Sequence, residues 1–301
     1  MDKFKAMRIF TTIIDQGSLS AAAMALDRSP AAIARGLADL ERHLGVRLLN
    51  RNTRNLALTD EGKEFLFRAR RILADVEEAE HTLDAKRRSP DGNLRISAPV
   101  TFGSLHLAPV VSDFMQQHPQ MQVELVLLDR LVDIVEEGFD LAIRIGELAD
   151  SNLVARPLGK VRTLVCASPM LLEQFGEPNT PADLKDLPAA VFSPQGKHWA
   201  FRENNYKTLQ AVRPVFRSNQ IGVVLQAGID GIGVVQLLSY QVAQAIERGQ
   251  LIRLLKNFEA PSIPVQFVYP HHRLVSHRVR GFMDWSVGYL SQRLLTASNV
   301  I

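Results

Sequence analysis

Residues 17–62 decide the reading. They run Gly17-Ser18-Leu19-Ser20-Ala21-Ala22-Ala23-Met24-Ala25-Leu26, then Asp27-Arg28-Ser29-Pro30-Ala31-Ala32-Ile33-Ala34-Arg35-Gly36-Leu37-Ala38-Asp39-Leu40-Glu41. They close with Arg47-Leu48-Leu49-Asn50-Arg51-Asn52-Thr53-Arg54-Asn55-Leu56-Ala57-Leu58-Thr59-Asp60-Glu61-Gly62. Gly17 ends one helix and Ser18 is placed to cap the next. Three consecutive alanines in that second helix let a neighbour approach closely. Asp27-Arg28-Ser29 is a turn. Ser29 can cap a third helix, and Pro30 in its first turn loses no hydrogen bond, because that N–H has no helical partner anyway. Ile33, Leu37, Leu40 and Leu44 recur at helical spacing and are expected to face inward, leaving Ala31, Ala34, Arg35 and Ala38 outward.

Two short helices joined by a tight turn can set the second in the DNA major groove. Arg35 can reach guanine O6 and N7 or a phosphate, and Ala31 and Ala34 offer methyl contacts. Residues 46–58 read as two short strands around a basic tip, a wing. From Arg28 to Arg54 there are six arginines against Asp39 and Glu41, a local excess of four positive charges. Such an excess suits phosphate neutralisation and makes binding salt-dependent. The candidate DNA contacts are Arg28, Ser29, Pro30, Ala31, Ala34, Arg35, Arg51, Thr53 and Arg54. The bland alternative is a helical hairpin with solvated arginines.

Upstream, Phe4, Met7, Phe10, Ile13 and Ile14 mark an opening amphipathic helix. Downstream, Thr59 is placed to cap a long helix reaching about residue 88. Its apolar positions Phe65, Ala69, Ile72, Val76, Ala79 and Leu83 follow a heptad seam. A thin stripe of this kind implies a partner helix, hence a dimer; the alternative is packing on the chain's own domain. Lys86-Arg87-Arg88-Ser89-Pro90-Asp91-Gly92 breaks the helix as a hinge.

From residue 93, strand-like and helix-like segments alternate: strands at 94–98, 123–128 and 141–145, helices at 101–118 and 131–137. This predicts a mostly parallel α/β sheet, followed by a second unit between about 161 and 266. The chain is expected to return to the first lobe near Phe267. Ligands in such sheets sit beyond the carboxyl ends of strands. Ala98-Pro99-Val100-Thr101-Phe102-Gly103 leaves a strand and enters a helix, so Thr101 and the N–H groups of that turn suit an anion. A plain cap at Thr101 is the alternative. Arg144 at a strand end can clamp a carboxylate or pair with Asp129 or Glu147.

The text Ser18 to Ala23, Ser29-Pro30 through Arg35, Leu40-Glu41, Leu44-Gly45-Val46-Arg47-Leu48-Leu49, Arg51-Asn52-Thr53-Arg54 and Leu58 to Gly62 resembles the LysR-type transcriptional regulators. The match is dense over the DNA-binding part and looser to the C-terminus. It departs at Ala34, where the family usually carries Ser or Thr, and at Gly36 inside the recognition helix. The resemblance implies an α/β fold class with an N-terminal all-α winged helix-turn-helix and a two-lobed, periplasmic-binding-protein-like effector domain. The expected organisation is a DNA-binding domain at 1–59, a linker helix at 60–88, a hinge at 89–92 and an effector domain at 93–301. Its first lobe would hold about 93–161 and 267–301, its second about 162–266. By resemblance, Asp129, Arg130, Arg144, Ser168, Asn219, Gly231 and Ile232 fall near the pocket, joining Thr101, Phe102 and Gly103. Dimers that pair into tetramers, a double-stranded DNA operator, a small-molecule effector such as a carboxylate, and RNA polymerase are the implied partners.

The chain's 301 residues suffice for two or three domains, and a net charge of +3 confines the basic character to residues 28–54. The lone Cys166, inside Thr163-Leu164-Val165-Cys166-Ala167, is expected to be a buried strand residue and fits a reducing compartment. The N-terminus lacks a signal-peptide layout and no run is long enough to span a bilayer, so the expected location is cytoplasmic. Gly228-Ile229-Asp230-Gly231-Ile232-Gly233 lacks the dinucleotide spacing and reads as a helix-to-strand turn. His271, His272 and His277 lack metal-ligand spacing. No nucleophile elbow, phosphate loop or His-Glu-x-x-His occurs, so no catalytic residue, metal or cofactor is expected. The rival function is a small-molecule-binding protein or enzyme on the α/β lobes, with the N-terminal helices serving dimerisation alone.

Overall fold

The computed structural model describes residues 2–52, 55–84, 90–148, 153–204, 206–270 and 276–299. The chain divides into two compact units, residues 1–89 and 90–301.

In the first unit, α1 (Lys3–Gln16) starts on the Asp2 side chain and ends at Gly17, which has φ 70°. The Ser18 side chain accepts from Ala21 N at the start of α2 (Leu19–Ala25). Ser29 does the same for Ala32 N at the start of α3 (Pro30–Leu44), which ends at Gly45. Ala22 and Ala23 are buried among Ile9, Phe10, Ile13, Ile33, Leu37 and Leu40. A Cβ on Gly36 would stand 2.6 Å from Ile9 Cδ1, so the glycine that weakens α3 locally also lets α1 lie close to it. Leu44 departs from its expected inward place and is exposed at the last turn of α3. Strands β1 (Leu49–Asn52) and β2 (Asn55–Leu58) pair antiparallel as the wing.

The wing is anchored at its base. Glu41 Oε1 accepts from Leu48 N (2.9 Å) and Leu49 N (3.2 Å), and the Thr59 hydroxyl donates to Arg47 O (2.7 Å). The same hydroxyl accepts from Gly62 N, capping α4 (Asp60–Asp84). A Cβ on Gly62 would overlap the Leu48 carbonyl, so the close approach of helix to wing requires glycine there. The first seam positions of α4 do not wait for a partner helix. Phe65 packs on Phe10 at 5.7 Å between ring centroids, and Ala69 is buried. Ile72, one turn on, is 37% exposed. Of the expected hinge stretch 86–92, residues 86–89 lie outside the described residues, and Gly92 already opens the next strand.

In the second unit, β3 (Gly92–Ala98) leads through α5 (Val100–Phe102), a π-helical turn (Gly103–Leu107) and α6 (Ala108–Gln117) to β4 (Met121–Leu127). The single helix expected at 101–118 thus carries a π turn. Then come β5 (Leu141–Ile145) and β6 (Leu153–Val161). No helix forms at 131–137. Residues 134–138 make a turn instead, in which Asp133 Oδ1 accepts from Val135 N and Glu136 N, and Gly138 at φ 72° closes it before a helix can propagate.

The chain crosses to a second lobe with β7 (Thr163–Ala167), α7 (Pro169–Phe175), β8 (Pro188–Phe192), the hairpin β9 (His198–Glu203) and β10 (Tyr206–Ala211), and β11 (Arg213–Ser218). It continues with α8 (Ile221–Ile229), β12 (Val235–Leu238), α9 (Ser239–Glu247) and β13 (Ile252–Leu254). It returns on β14 (Ile263–Pro270) and closes with α10 (His277–Asn299). The first sheet is ordered β4-β3-β5-β14-β6. In the second lobe β7 lies between β12 and β13, β8 pairs with β11, and an Ala189–Val234 bridge joins the two groups.

Two further expectations need correction. The sheets are mixed, because β14 enters the first sheet antiparallel to β5 and β6, and β7 is antiparallel to β12 and β13. A strand arriving from the other lobe has no crossover helix to turn it parallel. The return also begins earlier than Phe267, since Ile263 already pairs with Val161. Cys166 is fully buried in β7, and burial pushes its thiol up to about 12.

Candidate DNA-binding surface and ligand cavity

The capping that starts α3 also shapes its outer face. Arg28, Ser29, Pro30, Ala31 and Arg35 are exposed and Ala34 is half-buried, so the structure gathers these six predicted positions on one N-terminal face. Asp39, which could neutralise that face, is engaged by Arg42 at 2.6 Å. Arg35 is thus the longest cationic reach of the helix face. Arg51 lies in β1, while Thr53 and Arg54 at the wing tip lie outside the described residues.

The second unit holds a cavity of about 410 Å³ between its lobes. One wall comes from the ends of β3 and β5 and from residues 128–132; the other from Thr163, Phe192, Pro194, Gln195, Ile221, the Gln236–Leu238 strand, Tyr240 and Gln241. Of the expected effector contacts, Asp129, Arg130 and Arg144 line it. Seven others do not. Phe102 and Gly103 are buried in the first-lobe packing, and Thr101 is half-buried on α5. Ser168 caps α7 through Leu171 N, beside Gly231, whose φ of 74° makes the tight turn before β12. Asn219 and Ile232 are exposed away from the cavity lining.

The helix start expected as an anion site already carries a carboxylate of the chain itself. Asp129 Oδ1 accepts from Val100 N at 3.0 Å, and Gly103 N donates to Pro99 O. The Arg144 pairing with Asp129 or Glu147 does not form either. Arg144 Nη2 donates to Val132 O, and burial lowers its pKa, opposed by the nearby Glu137 and Asp133 charges. Arg130 is held by both Glu137 oxygens at 2.8 and 2.6 Å. The buried amide of Gln236, 4% exposed, accepts from Gln195 Nε2 at 2.6 Å. Gln195, Gln236, Tyr240 and Phe192 escaped the sequence reading. Only Gln236 left a signal there, as one amide inside Val234-Val235-Gln236-Leu237-Leu238.

Among the described residues no group of three or more His, Cys, Asp or Glu gathers as metal ligands, and no helix is long and apolar enough to cross a membrane. His271 and His272 lie outside the described residues.

Residues 4–63 match the family described as bacterial regulatory helix-turn-helix protein, lysR family, and residues 87–291 match the LysR substrate binding domain. The chain belongs to the LysR family. This LysR protein is 34% identical to the HTH-type transcriptional regulator YhjC of Escherichia coli K12, over 98% of this chain and all of that one. It is 32% identical to an HTH-type transcriptional repressor of Pseudomonas aeruginosa, over 95% of this chain and 91% of that one. The solved LysR-type regulator CrgA from Neisseria meningitidis superposes with a TM-score of 0.62 at 32% identity, covering 95% and 98% of the two chains. The protein is therefore a LysR-type DNA-binding transcriptional regulator with an effector-binding domain, which decides between the two functional readings.

Proposed function

We propose that this regulator recognises a specific operator in the cytoplasm as a homo-oligomer, and that a small-molecule effector in the inter-lobe cavity sets its activity without any catalysis by the chain. The exposed, cation-bearing N-terminal face of α3 carries the DNA reading. In it Arg35 supplies the base contact and Ala31 and Ala34 supply methyl contacts. Arg28 and Ser29 with Pro30 border it, and Arg51, Thr53 and Arg54 serve the backbone or the minor groove. Ile72, exposed, and Val76, half-buried, on the seam of α4 beyond Ala69 support pairing with a second copy, and operators read by two-fold pairs fit a dimer or a pair of dimers. RNA polymerase is the further partner such a regulator addresses.

The effector acts only through its differential affinity for the two lobe arrangements. Expected contacts within the cavity are Asp129, Arg130 and Arg144. The first test is fluorescence anisotropy on DNA upstream of the coding region, against scrambled DNA, with wild type and Arg35→Ala. Specific binding that falls with salt and weakens by about 1–3 kcal/mol in the variant is expected. Equal binding of both proteins to both DNAs rejects the reading.

A further inference from the structure

Resting on the reading of the inter-lobe cavity as the effector site, the charges of its wall narrow the ligand class. Five charged side chains stand at or beside its mouth: Arg130 and Arg144, and Asp129, Asp133 and Glu137. Four are already engaged. Arg130 and Glu137 hold each other through two bonds, Asp133 Oδ1 accepts two backbone N–H groups, and Asp129 Oδ1 accepts from Val100 N, its Oδ2 being buried without a partner among the described residues. Arg144 forms no ion pair with any described residue; its one hydrogen bond is to the Val132 carbonyl. A guanidinium has five N–H donors, so most of its fork is left for a ligand.

The rest of the wall is largely apolar, including Phe192, Ile221, Leu238 and Ile263. At the mouth, Leu131 lies 84% exposed, an apolar side chain with nothing over it. A carboxylate on Arg144 would answer a half-buried cation, and an apolar body would cover Leu131 and the wall behind it. A second carboxylate would find no further free cation among the described lining residues and would face Asp129, Asp133 and Glu137.

We propose that the cavity takes a compact monocarboxylic acid with an apolar body, its carboxylate on Arg144, and that it selects against a second carboxylate. The experiment uses the full-length protein, thermal shift and calorimetry. The probes are 3-phenylpropionate, its dicarboxylate counterpart phenylsuccinate, its uncharged counterpart 3-phenylpropionamide, and benzoate and octanoate to vary the body.

At least one monocarboxylate is expected to bind about tenfold more tightly than the dicarboxylate and the amide. Arg144→Gln is expected to erase that preference. Leu131→Glu, at an exposed position that folding does not depend on, is expected to weaken the monocarboxylates. Equal or tighter binding of phenylsuccinate or the amide overturns the proposal, as does the absence of binding by every monocarboxylate at millimolar concentration. A probe that binds with the wrong charge preference but is weakened by Leu131→Glu overturns the ligand class and leaves the cavity reading standing. A probe unmoved by both variants overturns the cavity reading as well.

Discussion

In the first unit the residues that act together are neighbours in sequence. Ser29 caps the helix whose next turns present Ala31, Ala34 and Arg35, and Glu41 reaches only to Leu48 and Leu49. In the second unit the cavity joins Pro99, Asp129, Arg144, Phe192, Gln236 and Tyr240, which come from separate segments of both lobes. The contrast teaches that a DNA-contact face can be a local property of one capped helix, whereas a ligand cavity here is a property of two sheets meeting. The first therefore tolerates distant change and is sensitive to local geometry, and the second is the reverse.

The sharpest way to break this comparison is at Gly62. If the wing is held by close local approach, Gly62→Ala drives a Cβ into the Leu48 carbonyl and destabilises the first unit by about 3 kcal/mol. Helix propensity alone predicts the opposite sign, a gain of about 1 kcal/mol. A raised denaturation midpoint would therefore show that the wing base is not tightly packed. A smaller effect is expected at Ser29→Ala, about 1 kcal/mol from the lost cap on Ala32 N, with weaker DNA binding, and with Ser29→Asn restoring the stability. Unchanged stability in the alanine variant would mean that Pro30 starts α3 unaided.

The smallest effect at neutral pH is expected in the second unit, at His106. Its ring packs at a tilt on Phe102 and edge-on to Tyr240, with both nitrogens buried and without a hydrogen-bond partner among the described residues. Burial, with a contribution from Arg293, lowers its pKa from 6.5 to about 4. The unfolded chain therefore takes up this proton first as pH falls. The corresponding stability is present above about pH 6.5 and is lost progressively toward pH 4. His106→Phe should leave the melting temperature near pH 7 almost unchanged and flatten its decline over that interval. An undiminished decline would assign the acid sensitivity to other groups.

Legibility followed the same division. Ser18, Ser29 and Gly17 announced helix boundaries, because caps and positive-φ glycines act within a few residues. The seam of α4 was legible as a stripe, yet not its use: Phe65 and Ala69 are taken by the first unit's own core. Arg144 was singled out and does line the cavity, whereas the helix start offered as an anion site at Thr101 already has its Val100 N–H bonded to Asp129. That bond spans 29 residues, and nothing in either segment alone records it. Leu131 to Glu137 looked helical by pattern, but Asp133 and Gly138 turn the chain within one cycle.

By itself the sequence determined the helix-turn-helix, its caps, its outward Arg35 and the alternation of strands and helices, since each rests on periodicity or on hydrogen bonds a few residues long. Tertiary structure alone decided that the sheets are mixed, that Arg130 is spent on Glu137 while Arg144 keeps no ion partner among the described residues, and that Gln236 and Tyr240 reach the cavity. The physical reason is that charge pairing and cavity shape depend on which distant strands come to lie side by side, and that is set by how the two lobes bury their apolar faces.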